Sequence, residues 1–171
     1  MEATLYLYVD KTNEELYEAY QKHVEEHNYK ISNSLYPDSG FDLLVPESQT
    51  IQHYPTTSYF LDFKIKTEMR FKMNENSPEL PSAFQIYLRS SVSKTPLMLS
   101  NHVGVIDSGY RGNIKGAFRC VTVDCYYIQK FQKLVQICHP FLCKIRVVLV
   151  EKEEDLSQTE RGGGGFGSTG K

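Results

Sequence analysis

Apolar and polar residues alternate along much of this chain with the period of a β-strand. Tyr59, Leu61, Phe63 and Ile65 alternate with Asp62, Lys64 and Lys66, the pattern of a strand buried on one face. Further strands are predicted at 5–9, 41–45, 84–88, 114–123, 133–138 and 144–150, several of them separated by turn-rich pieces such as 74–82. One segment breaks the period. Over residues 12–27, Leu16, Tyr17, Ala19, Tyr20 and Val24 fall near one helical stripe, and Thr12 is placed to cap a helix, with Glu15 completing a capping box. That helix reads as peripheral, packed on a sheet, with no chemistry assigned to it. Many short strands with one short helix predict an all-β sandwich or barrel. No internal repeat is visible.

Length and charge narrow the classes. A chain of 171 residues reads as one domain able to bury a core without covalent staples. With 21 acidic and 19 basic residues the net charge is −2, so the molecule as a whole offers no cationic field to a nucleic-acid backbone, and a polyphosphate would need a local site. No apolar run is long enough to span a bilayer, and Met1-Glu2-Ala3-Thr4 lacks the basic and apolar regions of a secretion signal. The expectation is a soluble, intracellular protein of cytoplasm or nucleus, with neither nucleic acid nor membrane as partner. Cys120, Cys125, Cys138 and Cys143 form two C-x4-C pairs with His139 nearby. Residues five apart on a strand face opposite ways, which favours buried free thiols over zinc.

The C-terminus changes character. Residues 151–160 are charged and poor in apolar side chains, and 161–171 carry six glycines. Neither piece contributes much to a core, so both are expected to be mobile in the free protein. Arg161, Phe166, Ser168 and Thr169 nevertheless supply groups that stack on a base and hold phosphates. The tail does not complete a P-loop, which needs G-K-[ST] between a strand and a helix. A flexible linker is the bland reading.

Chemistry concentrates in two internal stretches. Arg89-Ser90-Ser91 offers a fixed cation and two hydroxyl donors for phosphate oxygens. Asn101-His102-Val103-Gly104-Val105-Ile106-Asp107-Ser108-Gly109-Tyr110-Arg111-Gly112 places a carboxylate at the end of an apolar run, where it could orient and deprotonate a water. Taken alone, the former reads as ordinary surface and the latter as a turn.

In order along the chain, these segments resemble the five motifs of the trimeric dUTPase family, from about residue 39 to residue 171. Asp38-Ser39-Gly40-Phe41-Asp42-Leu43-Leu44 is similar to the first motif, A-G-x-D-L, and Arg89-Ser90-Ser91 to the second. Residues 101–112 are similar to the third, nearly verbatim over Gly-Val-Ile-Asp-Ser-x-Tyr-Arg-Gly. Lys133-Leu134-Val135-Gln136 resembles the fourth, and residues 161–170 match the fifth, R-G-x-G-G-F-G-S-T-G, without mismatch.

The resemblance implies an all-β, distorted jelly-roll or barrel with one or two short helices and a flexible Gly-rich C-terminal tail. It implies a homotrimer with active sites at subunit interfaces, hydrolysing dUTP to dUMP and pyrophosphate with Mg2+. The β domain would span 1–150, with 1–34 as a strand-and-helix extension, and 151–171 would form a flexible arm carrying the fifth motif. Ten extended residues reach about 33–36 Å, enough to cross to a neighbour. By the same resemblance Asp107 would activate the water that attacks the α-phosphorus. Asn101 and the hairpin backbone at Gly104, Val105 and Ile106 would read uracil, and Tyr110 would pack on the deoxyribose. Arg89, Ser90, Ser91 and Gln136 would contact phosphates, and Asp42 would sit near magnesium through water. Phe166 would stack on uracil, Gly167 beside it would bind substrate, and Arg161, Ser168 and Thr169 would grip the γ-phosphate.

Two departures stand out. The fourth motif, usually G-[DE]-R-[IL]-[AV]-Q, reads Phe131-Gln132-Lys133-Leu134-Val135-Gln136, which questions the local turn and its ion pairs more than Gln136. The N-terminal extension exceeds a minimal family member. Two rival readings remain. In a dCTP deaminase a catalytic Glu would stand where Ala117 does. The other rival is a catalytically weak dUTPase-like protein that binds nucleotide or partners.

Overall fold

The structure is a computed structural model that describes residues 1–53, 57–122 and 124–164. It is mostly strand, in four sheets. The N-terminal strand β1 (Glu2–Val9) lies between β13 (Ile145–Val150), its parallel partner, and β5 (Ile65–Lys72), its antiparallel one, and β6 (Leu80–Ser82) completes that sheet. Ala3, Leu5, Leu7 and Val9 are fully buried. Each of the larger three contributes about 1.5–3 kcal/mol by leaving water. The strand of the N-terminal extension thus lies inside a sheet of the fold.

A second sheet has the order β2 (Gly40–Leu44), β12 (Lys133–Cys138), β7 (Phe84–Leu88) and β9 (Gly104–Ile106). The third has the order β4 (Tyr59–Asp62), β10 (Lys115–Cys120) and β8 (Leu97–Leu99), and β3 (Gln49–Ile51) pairs with β11 (Tyr126–Ile128). Phe41, Phe63, Phe118, Leu43 and Leu61 fill the core between them. Strands β7 and β12 have the expected bounds. The run 59–65 is not one strand, because Lys64 has φ 57° and Asp62 Oδ1 accepts the Lys64 amide. Alternation survives this break, so period alone did not reveal it.

The helix α1 spans Glu14–Asn33 and is longer than 12–27. Its cap is Asn13, whose side chain accepts the Leu16 amide. Thr12 does not serve, because its amide and hydroxyl both donate to Asp10 Oδ1. The helix bridges two sheets. Asn28 Nδ2 donates to the Val147 carbonyl and Asn28 Oδ1 accepts the Val147 amide, at 2.8 and 3.0 Å. These bonds satisfy backbone groups on the outer edge of β13 that an uncovered strand would leave open. On its other side, the Tyr20 hydroxyl accepts the Leu44 amide of β2.

Residues 151–164 lie against the domain. A short 3-10 turn at Glu153–Asp155 leads into Leu156, which is 4% exposed. The Ser157 amide donates to Glu68 Oε2 at 2.7 Å, and Arg111 donates to the Ser157 carbonyl and hydroxyl at 2.8 Å each. Burial alone would raise the Glu68 carboxyl, but Ser157, Arg70 and Arg111 together hold it below the usual carboxylate range. All four cysteines are free, with Cys125 exposed rather than buried. Burial, with Asp42 nearby, pushes the Cys138 thiol up to about 11. Among the described residues no helix is long and apolar enough to cross a membrane.

Candidate active site

The residues singled out from sequence gather in two clefts. The first, about 200 Å³ and called the nucleoside-side cleft after the role the resemblance would give it, is lined by Asn101, Gly104, Val105, Ile106, Asp107, Tyr110, Lys115 and Arg161. It is built on β9 and the turn after it, where the Tyr110 amide donates to the Asp107 carbonyl and the Tyr110 hydroxyl to the Asn113 carbonyl. The turn is tight, and a Cβ on Gly112 would lie 2.5 Å from the Tyr110 hydroxyl oxygen. Burial, reinforced by Asp62, raises the Tyr110 phenol above its ordinary value. It therefore stays protonated and keeps donating at neutral pH.

The second, about 580 Å³ and called the phosphate-side cleft on the same ground, holds Asp42, Arg89, Ser90 and Gln136 together. Gln136 pairs with Asp42 on one side and Tyr87 on the other, which lines the three up across the sheet. Arg89 Nε lies 2.8 Å from Asp42 Oδ1, and Lys133 Nζ 3.8 Å from Asp42 Oδ2. Space is tight at Gly40, where a Cβ would come within 2.2 Å of Gln136 Oε1, so a larger residue would have to displace the Gln136 side chain. Ser91 stands exposed on the following 3-10 turn and does not line the cleft.

These clefts share no lining residue. In the β7–β9 pairing Phe84 faces Ile106 and Ile86 faces Gly104. Asp107 therefore lies beyond one end of β7 and Arg89 beyond the other. At a strand rise of about 3.3 Å per residue, their backbones stand roughly 20 Å apart. That is too far for both to converge on one phosphoryl group. At about 200 Å³ the nucleoside-side cleft also falls below the ~300–1,000 Å³ typical of small-molecule pockets.

The C-terminal segment reaches the nucleoside-side cleft within the same chain. Arg161 pairs with Asp107, the Arg111 amide donates to the Gly162 carbonyl, and the Thr159 hydroxyl donates to the Gly109 carbonyl. Sequence reasoning missed Lys115, which lines the cleft, and the parts played by Glu68 and Arg111, whose partners lie far away along the chain. Phe166, Gly167, Ser168 and Thr169 lie outside the described residues.

A family model for dUTPase matches residues 28–170. The chain belongs to the dUTPase family. A Rickettsia felis relative, the curated deoxyuridine 5'-triphosphate nucleotidohydrolase, is 36% identical over 94 residues, covering 53% of this chain and 62% of its own. The same-named protein of Escherichia phage T5 is 38% identical over 85 residues, covering 48% and 54%. The match thus spans less than two thirds of either relative's length. Among solved structures, a Staphylococcus bacteriophage 80alpha dUTPase aligns at a TM-score of 0.48 and 19% identity, over 81% of this chain and 89% of its own.

The structure bears on both departures from the dUTPase motifs. Phe131 stands where the fourth motif usually has Gly and keeps a left-handed conformation, φ 63°, at a cost of about 1–2 kcal/mol for a residue with a Cβ. Its amide donates to the Val45 carbonyl, the Gln132 amide donates to the Gln129 carbonyl, and the Phe131 ring packs on the core. A hydrogen-bonded turn thus forms here without glycine. The family match begins at residue 28, inside α1, so residues 14–27 of the 20-residue helix lie outside it. For magnesium, no group of three or more His, Cys, Asp or Glu is gathered among the described residues. One carboxylate, Asp42, beside Arg89 suits an ion that brings phosphate and water ligands with it.

Proposed function

We propose that the protein hydrolyses dUTP to dUMP and pyrophosphate, at sites that each combine the nucleoside-side cleft of one copy with the phosphate-side cleft of another. The carrying observation is the division of the motif residues between opposite ends of β7. Family membership supports the chemistry, and a homotrimer is the assembly that this reading adopts.

Uracil would lie along Gly104, Val105 and Ile106, with Asn101 reading its polar edge and Tyr110 against the deoxyribose. Asp107 would take a proton from a water as its oxygen bonds to the α-phosphorus. The bond from that phosphorus to the bridging oxygen breaks, and its electron pair leaves with pyrophosphate. Arg89, Ser90 and Gln136 of the other copy would hold the phosphates while the charge shifts toward the leaving group. Magnesium, held near Asp42 through water, would supply charge neutralisation on the triphosphate. The C-terminal segment would close the site, with Arg161 exchanging Asp107 for the γ-phosphate and Phe166 stacking on the base. In that exchange the carboxylate is released for proton transfer as substrate arrives.

Selectivity provides the test. Pyrophosphate release is expected from dUTP, with dCTP, dTTP and UTP turned over far more slowly, and EDTA abolishing it. Ala117, buried on β10, offers no carboxylate for a deaminase. Uracil products from dCTP would reverse that part of the reading, and no release from any nucleotide would favour a binding protein.

A further inference from the structure

We propose that the N-terminal helix belongs to the phosphate-binding apparatus, with His23 a positioning residue that acts on Asp42 directly and through Lys133. This rests on the dUTP-hydrolysing reading.

Besides the Tyr20 ring on its own helix, His23 makes three contacts, and these bear on the first and fourth motifs. Its ring stacks on Phe41, centroids 4.7 Å apart and planes at 26°. Its Nε2 lies 2.9 Å from the Asp42 carbonyl oxygen, and its Nδ1 lies 3.4 Å from Lys133 Nζ. One neutral tautomer satisfies both polar contacts, with Nε2–H donating to the carbonyl and Nδ1 accepting from the ammonium. Lys133 then stands between the imidazole and Asp42 Oδ2, while Arg89 holds Oδ1. The backbone is gripped as well. His27 meets the Phe41 ring edge-on at 5.0 Å, and the Tyr20 hydroxyl accepts the Leu44 amide two residues beyond Asp42.

Two features that otherwise look unrelated thereby become parts of one device. His23 precedes the family match, which begins at residue 28. Lys133 replaces the usual Arg of the fourth motif. A guanidinium is a planar fork suited to bidentate pairing, whereas an ammonium is a point charge on a flexible stem. The ammonium can sit between a ring nitrogen and a carboxylate oxygen. The helix thus fixes where the Asp42 carboxylate points and keeps one of its two cations from collapsing onto it. A carboxylate that must meet a hydrated ion through water depends on such outer contacts.

The experiment measures affinity for the imido analogue of dUTP, with and without magnesium, in wild-type protein, His23→Ala, His23→Gln, Lys133→Met and the His23→Ala/Lys133→Met pair. His23→Ala is expected to weaken magnesium-dependent binding about tenfold, the low end for a partner of a metal-side ligand, and to raise KM more than it lowers kcat. Binding without magnesium is expected to change little. His23→Gln, whose amide nitrogen can replace Nε2 against the Asp42 carbonyl, is expected to recover most of the loss. In the pair, the two effects are expected to be less than additive. Should His23→Ala fail to fold, Lys133→Met carries the test, because that side chain is 35% exposed. Equal loss with and without magnesium would mean a merely structural role and overturn the proposal. So would unaltered binding by both single variants. Wild-type protein that binds no analogue would overturn the functional reading, and this inference with it.

Discussion

Asp107→Asn is expected to lose about 10²–10⁴ in turnover, the usual contribution of a positioned general base, while binding nucleotide nearly as well as wild type. Asparagine keeps the shape of the side chain and its place after β9, but it cannot take a proton from water. The surrounding turn does not depend on the carboxylate, because it is the Asp107 carbonyl that accepts the Tyr110 amide. The ion pair with Arg161 joins side chains 51% and 39% exposed, and such pairs contribute only about 0–1 kcal/mol. Thermal stability is therefore expected to move little. Single-turnover hydrolysis alongside analogue binding separates the two effects. Turnover within a few-fold of wild type would remove Asp107 from the base role.

Truncation after Glu160 is expected to leave a folded protein with kcat/KM reduced on the order of 10²–10⁴-fold. Two losses combine in that figure: base stacking at about 1–3 kcal/mol and a charged hydrogen-bonding group at about 1.5–3 kcal/mol. The fold is expected to survive because the segment is anchored before the cut. Leu156 is buried, and Ser157 is held by Glu68 and Arg111. A cut before Leu156 would remove that buried leucine, uncover the apolar surface beneath it and leave the Glu68 carboxylate with fewer partners, so the two truncations are expected to differ in stability as well as rate. Full activity in the shorter chain would contradict closure of the site by residues 161–171.

Much of this was legible in the sequence wherever one window of residues carried the signal. Strands β7 and β12 could be read from five or six consecutive residues, and the motif residues Asp42, Arg89, Asn101, Asp107 and Gln136 all line one of the two clefts. Strands β3, β8, β9 and β11 have three residues each, too few to establish a period. The contacts of residues 156 and 157 were not legible in the polar composition of that segment, because they depend on Leu156 and on Glu68, 89 positions before Ser157. The helix was recognised but given no chemistry, since His23 meets Lys133 across 110 positions. Nor can any single window show that Asp107 and Arg89 lie at opposite ends of the same strand.

That last arrangement is the centre of the account, and mixing two inactive variants tests it most directly. Asp107→Asn keeps an intact phosphate side, and Arg89→Ala keeps an intact nucleoside side. If each site draws on two copies, a trimer containing both kinds of chain regains one wild-type site in three. Equal co-expression with random assortment is then expected to restore about a quarter of the wild-type rate, given closed three-fold assembly. Either variant alone remains inactive. Recovery near that level is the predicted result. A mixture no more active than its components, in trimers shown to contain both chains, would place Asp107 and Arg89 in the same copy's site and contradict the account.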